Sequence, residues 1–124
     1  MHRSIQADLY RYTGDGPGRG SLWRGLRNPG FRFTYVFRMA KLHAKYTPLG
    51  LFFRFLVNRY FWKYGFQISL KTQLGEGLYI GHIGAVIINS SSLIGKNCNL
   101  SAGVTIGQTN RGDKKGSPTI GDRV

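Results

Sequence analysis

Between Leu74 and Gly107 the chain reads LGEGLYIGHIGAVIINSSSLIGKNCNLSAGVTIG, and aliphatic residues return in it at six-residue steps. Ile68, Leu74 and Ile80 form one such series, and Ile88, Ile94, Leu100 and Ile106 form a second, which Ile120 rejoins after a gap. Glycine follows directly at Gly75, Gly81, Gly95, Gly107 and Gly121. Four residues past an aliphatic the side chain is mostly small, at Gly84, Ser92, Cys98 and Val104, with Leu78 the large exception. A period of six fits neither a helix, which repeats every ~3.6 residues, nor a two-sided strand. It fits a coil of short strands. The aliphatic points inward and stacks on its equivalent one coil along, the small residue fills the tapering interior, and glycine allows the corner. One hexad cannot bury its face alone, so stacked coils share one core.

Two interruptions carry information. Ile80 and Ile88 stand eight apart, which makes Gly81-His82-Ile83-Gly84-Ala85 a slipped corner. Ile106 and Ile120 stand fourteen apart, which ejects residues 108–117 as a polar, basic loop. Insertions in solenoids tend to lie on one face, often the binding face.

Upstream the pattern is helical. Asn28-Pro29 and Thr47-Pro48 each set a capping side chain before a proline at the first helical position. They predict helices over residues 29–46 and 48–64, the second stopped by Gly65 in the left-handed conformation. Residues 4–12 read as a shorter helix before a Gly/Pro-rich linker at 14–20. In the 48–64 helix, Phe52, Phe53, Leu56, Tyr60 and Phe61 share a side, while Arg54, Asn58 and Lys63 lie away from it. That stripe is assigned to packing on the rest of the protein or on a neighbouring subunit, with an anionic membrane surface as the alternative.

At 124 residues the chain has the size of one domain. Its single cysteine, Cys98, excludes an intramolecular disulfide and a cysteine-built zinc site. No stretch reads as a membrane span or a secretory signal, and the expected location is cytoplasmic, peripheral to the inner membrane face if the basic helices touch it. The net charge of +13 is uneven: residues 1–66 hold 12 Lys/Arg against Asp8 and Asp15, residues 67–124 hold 6 against Glu76, Asp113 and Asp122. Such asymmetry signals an anionic partner or a solvated helical face. Nucleic acid is the weaker candidate, because no nucleic-acid motif accompanies the charge.

The segment Gly77-Leu78-Tyr79-Ile80-Gly81-His82 resembles the hexapeptide-repeat acyltransferases, and among them the serine acetyltransferases. So do Val104-Thr105-Ile106-Gly107, the loop, and Ser117-Pro118-Thr119-Ile120-Gly121. Asp8-Leu9-Tyr10-Arg11-Tyr12 and Arg27-Asn28-Pro29-Gly30-Phe31-Arg32 match more loosely. The resemblance implies an α+β protein: a short, basic helical region over residues 1–66, then a left-handed parallel β-helix over residues 67–124. That β-helix ends at Val124 in mid-hexad, so it is expected to be incomplete at its C-terminal end. The resemblance further implies a homotrimer that binds acetyl-CoA between subunits, without a metal, and that uses a histidine as general base.

His82 matches that histidine. A hydroxyl is a poor nucleophile until a base takes its proton, and imidazole accepts one near neutral pH, typically worth ~10²–10⁴ in rate. Gly107, Gln108 and Thr109 match positions that lie against the thioester arm, where backbone N–H groups can stabilise an oxyanion. Arg111, Lys114 and Lys115 either pair with CoA phosphates or solvate the loop. The departures concern the acceptor. Gln67 stands where the family has an aspartate that orients the histidine, Gly81 where it has another acid, and Gly116 and Ser117 where an Arg-His pair holds the amino-acid carboxylate. These departures lead to the expectation of a neutral acceptor such as a sugar, with serine O-acetylation as the alternative and a non-catalytic β-helix scaffold as a third reading.

Overall fold

In the computed structural model, which describes residues 2–14, 19–107 and 118–124, the six-residue period becomes a three-faced coil. The strands are β1 (Phe66–Ile68), β2 (Gln73–Leu74), β3 (Tyr79–Ile80), β4 (Val86–Ile88), β5 (Leu93–Ile94), β6 (Asn99–Leu100), β7 (Thr105–Ile106) and β8 (Thr119–Ile120). They pair in parallel as β1-β4-β7, β2-β5-β8 and β3-β6, one ladder per face. The inward aliphatics stack as the period predicts: Ile68, Ile88 and Ile106 on one face, Leu74, Ile94 and Ile120 on the next, Ile80 and Leu100 on the third. Burial is near complete at Ile68, Ile80 and Ile94, and only partial at Ile106 and Ile120. Thr72, Leu78, Ser92 and Cys98 fill the corners between the faces and are buried.

The register explains both interruptions. Ile68 pairs with Ile88, Leu74 with Ile94 and Ile80 with Leu100, each pairing advancing the chain by twenty residues because each spans the slipped corner. Ile88 pairs with Ile106 after eighteen, the unperturbed three hexads. Ile94 pairs with Ile120 after twenty-six, so the second interruption is looped out without disturbing the ladder. The loop itself, residues 108–117, lies outside the described residues. At unperturbed corners the coils approach closely: a Cβ on Gly75 would run into the carbonyl of Gly95.

Four helices precede the coil: α1 (Arg3–Thr13), α2 (Arg19–Leu26), α3 (Pro29–Leu42) and α4 (Pro48–Tyr64). Both predicted caps form. Asn28 Oδ1 accepts from the Gly30 N–H at 3.1 Å and Thr47 Oγ1 from the Gly50 N–H at 3.1 Å. Gly65 ends α4 at φ +77°, and a side chain there would also crowd the backbone of Ala85. Three expectations are corrected. Helix α3 stops at Leu42 rather than at residue 46, because His43 turns into extended backbone. Residues 19 and 20, expected as linker, open a helix over residues 19–26 that the sequence reading did not assign, α2, whose Leu22 and Leu26 pack with Ile5, Leu9 and Phe31. In α4 the inward face is Phe53, Leu56, Val57, Tyr60 and Tyr64, whereas Phe52 points to solvent at 53% exposure. No helix among the described residues is long and apolar enough to cross a membrane.

The helices close the open edge of the first coil. Phe33, Val36 and Phe37 of α3 belong to the same buried cluster as Phe66, Ile68, Leu78 and Ile80, so helices and coil share one core. The strand edge below them would otherwise present bare backbone groups. Polar side chains from α1 and α3 meet those groups in turn. Asp8 Oδ1 accepts from the Gly77 and Leu78 N–H groups, both at 2.9 Å. Arg38 donates to the carbonyls of Leu74 at 2.7 Å and Gly75 at 2.8 Å, and its Nε donates to Asp8 Oδ2 at 2.9 Å. Arg11 reaches the Gly77 carbonyl at 3.0 Å and Lys41 the Thr72 carbonyl at 3.2 Å. Burial pushes the Asp8 carboxyl upward while Arg38 and the amides of Leu78 and Gly77 pull it down. Burial, with Arg38 beside it, lowers the Lys41 ammonium.

Candidate functional site

The slipped corner is where a side chain leaves the regular coil. Between Ile80 and Val86 the first coil has five residues, where the second has three between Leu100 and Val104. The corner closes at the shorter length on both flanks. Val86 donates to the Gly65 carbonyl at 3.0 Å, and the Ala85 carbonyl accepts from Gly103 at 2.7 Å. Gly84 permits this closure, since a Cβ there would stand 2.8 Å from the Cβ of Ala102. The surplus residues are therefore thrown outward. His82 is exposed, and Ile83 beside it is 56% exposed despite being aliphatic.

On its upstream side the corner is held by Tyr12 of α1. The Tyr12 hydroxyl accepts from the Ile80 N–H at 2.8 Å and donates to the Ile80 carbonyl at 3.3 Å. It thus satisfies both main-chain groups of the last strand residue before the corner. Burial raises the Tyr12 phenol above its ordinary value, which keeps the donor proton in place. The ring packs on Tyr79 with centroids 4.8 Å apart, and Arg11 lies over the Tyr79 ring at 5.7 Å. Asp8 and Tyr12 enter the sequence reading only within a loosely matching motif, and Arg38 not at all. The available signal was positional: Asp8 and Tyr12 share a side of α1 with the buried Ile5 and Leu9, so polar groups interrupt an apolar stripe.

The other sequence-derived candidates are scattered in their surroundings. Gln67 is exposed on β1 opposite Ile87, and among the described residues no hydrogen bond joins it to His82. Gly81 is half-buried, and a Cβ on it would lie 3.2 Å from the Tyr79 ring. Gly107 is exposed, with nothing within 4 Å of where a Cβ would stand, so its backbone is approachable. Gln108, Thr109, Arg111 and Ser117, together with Lys114, Lys115 and Gly116, lie outside the described residues. Among the described residues no group of His, Cys, Asp and Glu side chains is placed to hold a metal ion. Chemically, the corner offers an exposed imidazole beside an exposed apolar side chain, able to take a proton from a hydroxyl presented to it.

The chain is 34% identical over 100 residues to a serine acetyltransferase from Synechocystis, an alignment covering 77% of this chain and 38% of that protein. It is 30% identical over 127 residues to a serine acetyltransferase from Helicobacter pylori, covering 97% and 70%. The fold superposes with a TM-score of 0.67 on the crystal structure of Neisseria gonorrhoeae serine acetyltransferase in complex with serine, at 25% identity, covering 97% of this chain and 49% of that one. The chain thus spans about half the length of that structure and less of the Synechocystis protein. No family profile matches it. The three parallel ladders, the capping helices and the slipped corner are those of a left-handed β-helix, and together with the Helicobacter alignment they place the chain in the serine acetyltransferase family.

Proposed function

We propose that the chain transfers an acetyl group from acetyl-CoA to the hydroxyl of serine, with His82 as general base. The observation that carries this reading is the two-residue surplus at one corner, which sets His82 outward from the regular coil. In the step envisaged, the imidazole of His82 takes the hydroxyl proton as the oxygen attacks the thioester carbonyl. The tetrahedral oxyanion collapses, the C–S bond breaks, and the CoA thiolate leaves with the proton returned by the imidazolium. The products are O-acetylserine and CoA. Gly107, Gln108 and Thr109 are proposed to lie against the thioester arm, with Arg111 near the CoA phosphates and Gln67, Gly81 and Ser117 around the acceptor. The assembly proposed is a homotrimer, which places a neighbour's coil beside the corner.

The sugar acceptor expected from Gly81, Gly116 and Ser117 finds no support among the relatives. Their names specify serine, and the Neisseria structure holds it. A direct test follows CoA release with serine and with a panel of sugars as acceptors. Serine is expected to support turnover and sugars are not. His82→Ala is expected to lower that rate by roughly two to four powers of ten with acetyl-CoA affinity nearly unchanged. Full activity in His82→Ala would remove His82 from the chemistry, and turnover with sugars alone would restore the other acceptor. Calorimetric titration that detects no acetyl-CoA binding would favour a scaffold.

A further inference from the structure

We infer that the outer face of α4 docks on an anionic lipid surface, an inference independent of the acetyl-transfer reading. Helix α4 is apolar on both sides. Its inner side lies in the core, whereas Leu51, Phe52, Phe55 and Trp62 are 54%, 53%, 61% and 77% exposed. Their spacing puts them on one helical face, and Arg59 and Lys63 fall on that same face. A helix that is hydrophobic all round is ordinarily covered all round, and an exposed patch of this composition marks a contact site.

Charge selects the occupant. Helix α4 contains no Asp or Glu, and residues 1–66 carry 12 basic against two acidic side chains. The acidic side chains of the described residues are engaged elsewhere: Asp8 with Arg38, Glu76 with Arg3 at 3.3 Å, and Asp122 with the Lys96 N–H at 2.8 Å. A second copy docked face to face would set Arg59 and Lys63 against their own counterparts with nothing to neutralise them. Nucleic acid would leave four large apolar side chains against a polar backbone. A bilayer surface answers both features. It offers phosphates to the cations and a headgroup boundary to the aromatic rings, where Trp in particular resides.

The test uses the 124-residue chain with vesicles of phosphatidylcholine alone and of an equimolar mixture with phosphatidylglycerol. Flotation is expected with the mixed vesicles only and is expected to weaken as salt rises. In a Trp23→Phe background Trp62 is the sole tryptophan, and its emission is expected to shift to the blue on binding. Arg59→Gln and Lys63→Gln should each lower partitioning about fivefold. Phe55→Ser with Trp62→Ser should abolish it while leaving the circular dichroism spectrum unchanged. The inference is overturned by equal partitioning into neutral vesicles, or by an unshifted Trp62 emission. It is equally overturned by a self-association that Trp62→Ser dissociates, or by duplex DNA binding in place of vesicle binding.

Discussion

Arg38 donates four hydrogen bonds from a side chain only 9% exposed, two to the Asp8 carboxylate and two to the carbonyls of Leu74 and Gly75. Removing it leaves the buried Asp8 carboxyl without its cation, and leaves two carbonyls without a donor. Arg38→Ala is expected to destabilise the chain by ~3–5 kcal/mol in urea unfolding, the usual cost of breaking a buried ion pair from one side. Arg38→Lys keeps the charge but not the planar fork, so it should recover only part of that loss. A change in Arg38→Ala below ~1 kcal/mol would show that the pair does not hold helices to coil. Tyr12→Phe keeps the ring against Tyr79 and removes only the hydroxyl that serves Ile80. It should cost ~1–3 kcal/mol, with hydrogen exchange at the Ile80 amide as the local readout. Arg38 was not legible in advance, and Tyr12 was so only as a polar break in the apolar side of α1. Asp8 and Arg38 lie thirty positions apart, and a pairing across that distance has no period by which a sequence can announce it. His82 was legible because it stands where a period breaks.

At the scale of elements, the coil could be read almost completely and the helices only in part. The strands are two or three residues long, too short for propensity to reveal, yet their six-residue return is written in Ile68, Leu74, Ile80 and their equivalents. The face of α4 was misassigned for the opposite reason. With Phe52, Phe53, Phe55, Phe61 and Trp62 distributed around it, its apolar pattern has no phase, and only the contacts decide which side is inward. Helix α2 holds Gly20 and Gly25, a composition that argues for loop, and tertiary packing overrides it: a Cβ on Gly25 would press on Phe31. The slipped corner permits a test at this scale. Deleting His82 and Ile83 together returns the first coil to eighteen residues, the length the second coil already has. The shortened chain is expected to keep a native-like circular dichroism spectrum and to lose acetyl transfer. A deletion that unfolds the chain would show the surplus residues to be structural.

The molecule as a whole is a coil with a helical lid on its first turn, and the two are expected to melt together. Phe33 and Phe37 from α3 lie in one cluster with Phe66 and Ile80. Residues 66–124 made alone would expose that apolar floor and strip the donors and acceptors supplied by Asp8, Arg11, Tyr12, Arg38 and Lys41. Such a piece is expected to show no cooperative thermal transition, whereas the whole chain should show one. Within the whole chain, amide exchange should be slowest at Ile68, Ile80 and Ile94, which are buried, and faster at Ile106 and Ile120, which are not fully covered.

The unequal coil lengths have a consequence for how this architecture tolerates change. In a flat sheet, adding one residue inside a strand turns every following side chain to the opposite face. Here coils of eighteen, twenty and twenty-six residues stack in one register, because each corner takes up its own surplus before the next strand begins. Length is therefore a local variable, confined to the vertex where it occurs and silent everywhere else. A vertex that turns outward can hold added residues while the ladders keep their alignment around it, whereas a close-packed one such as that at Gly75 has no room even for a Cβ.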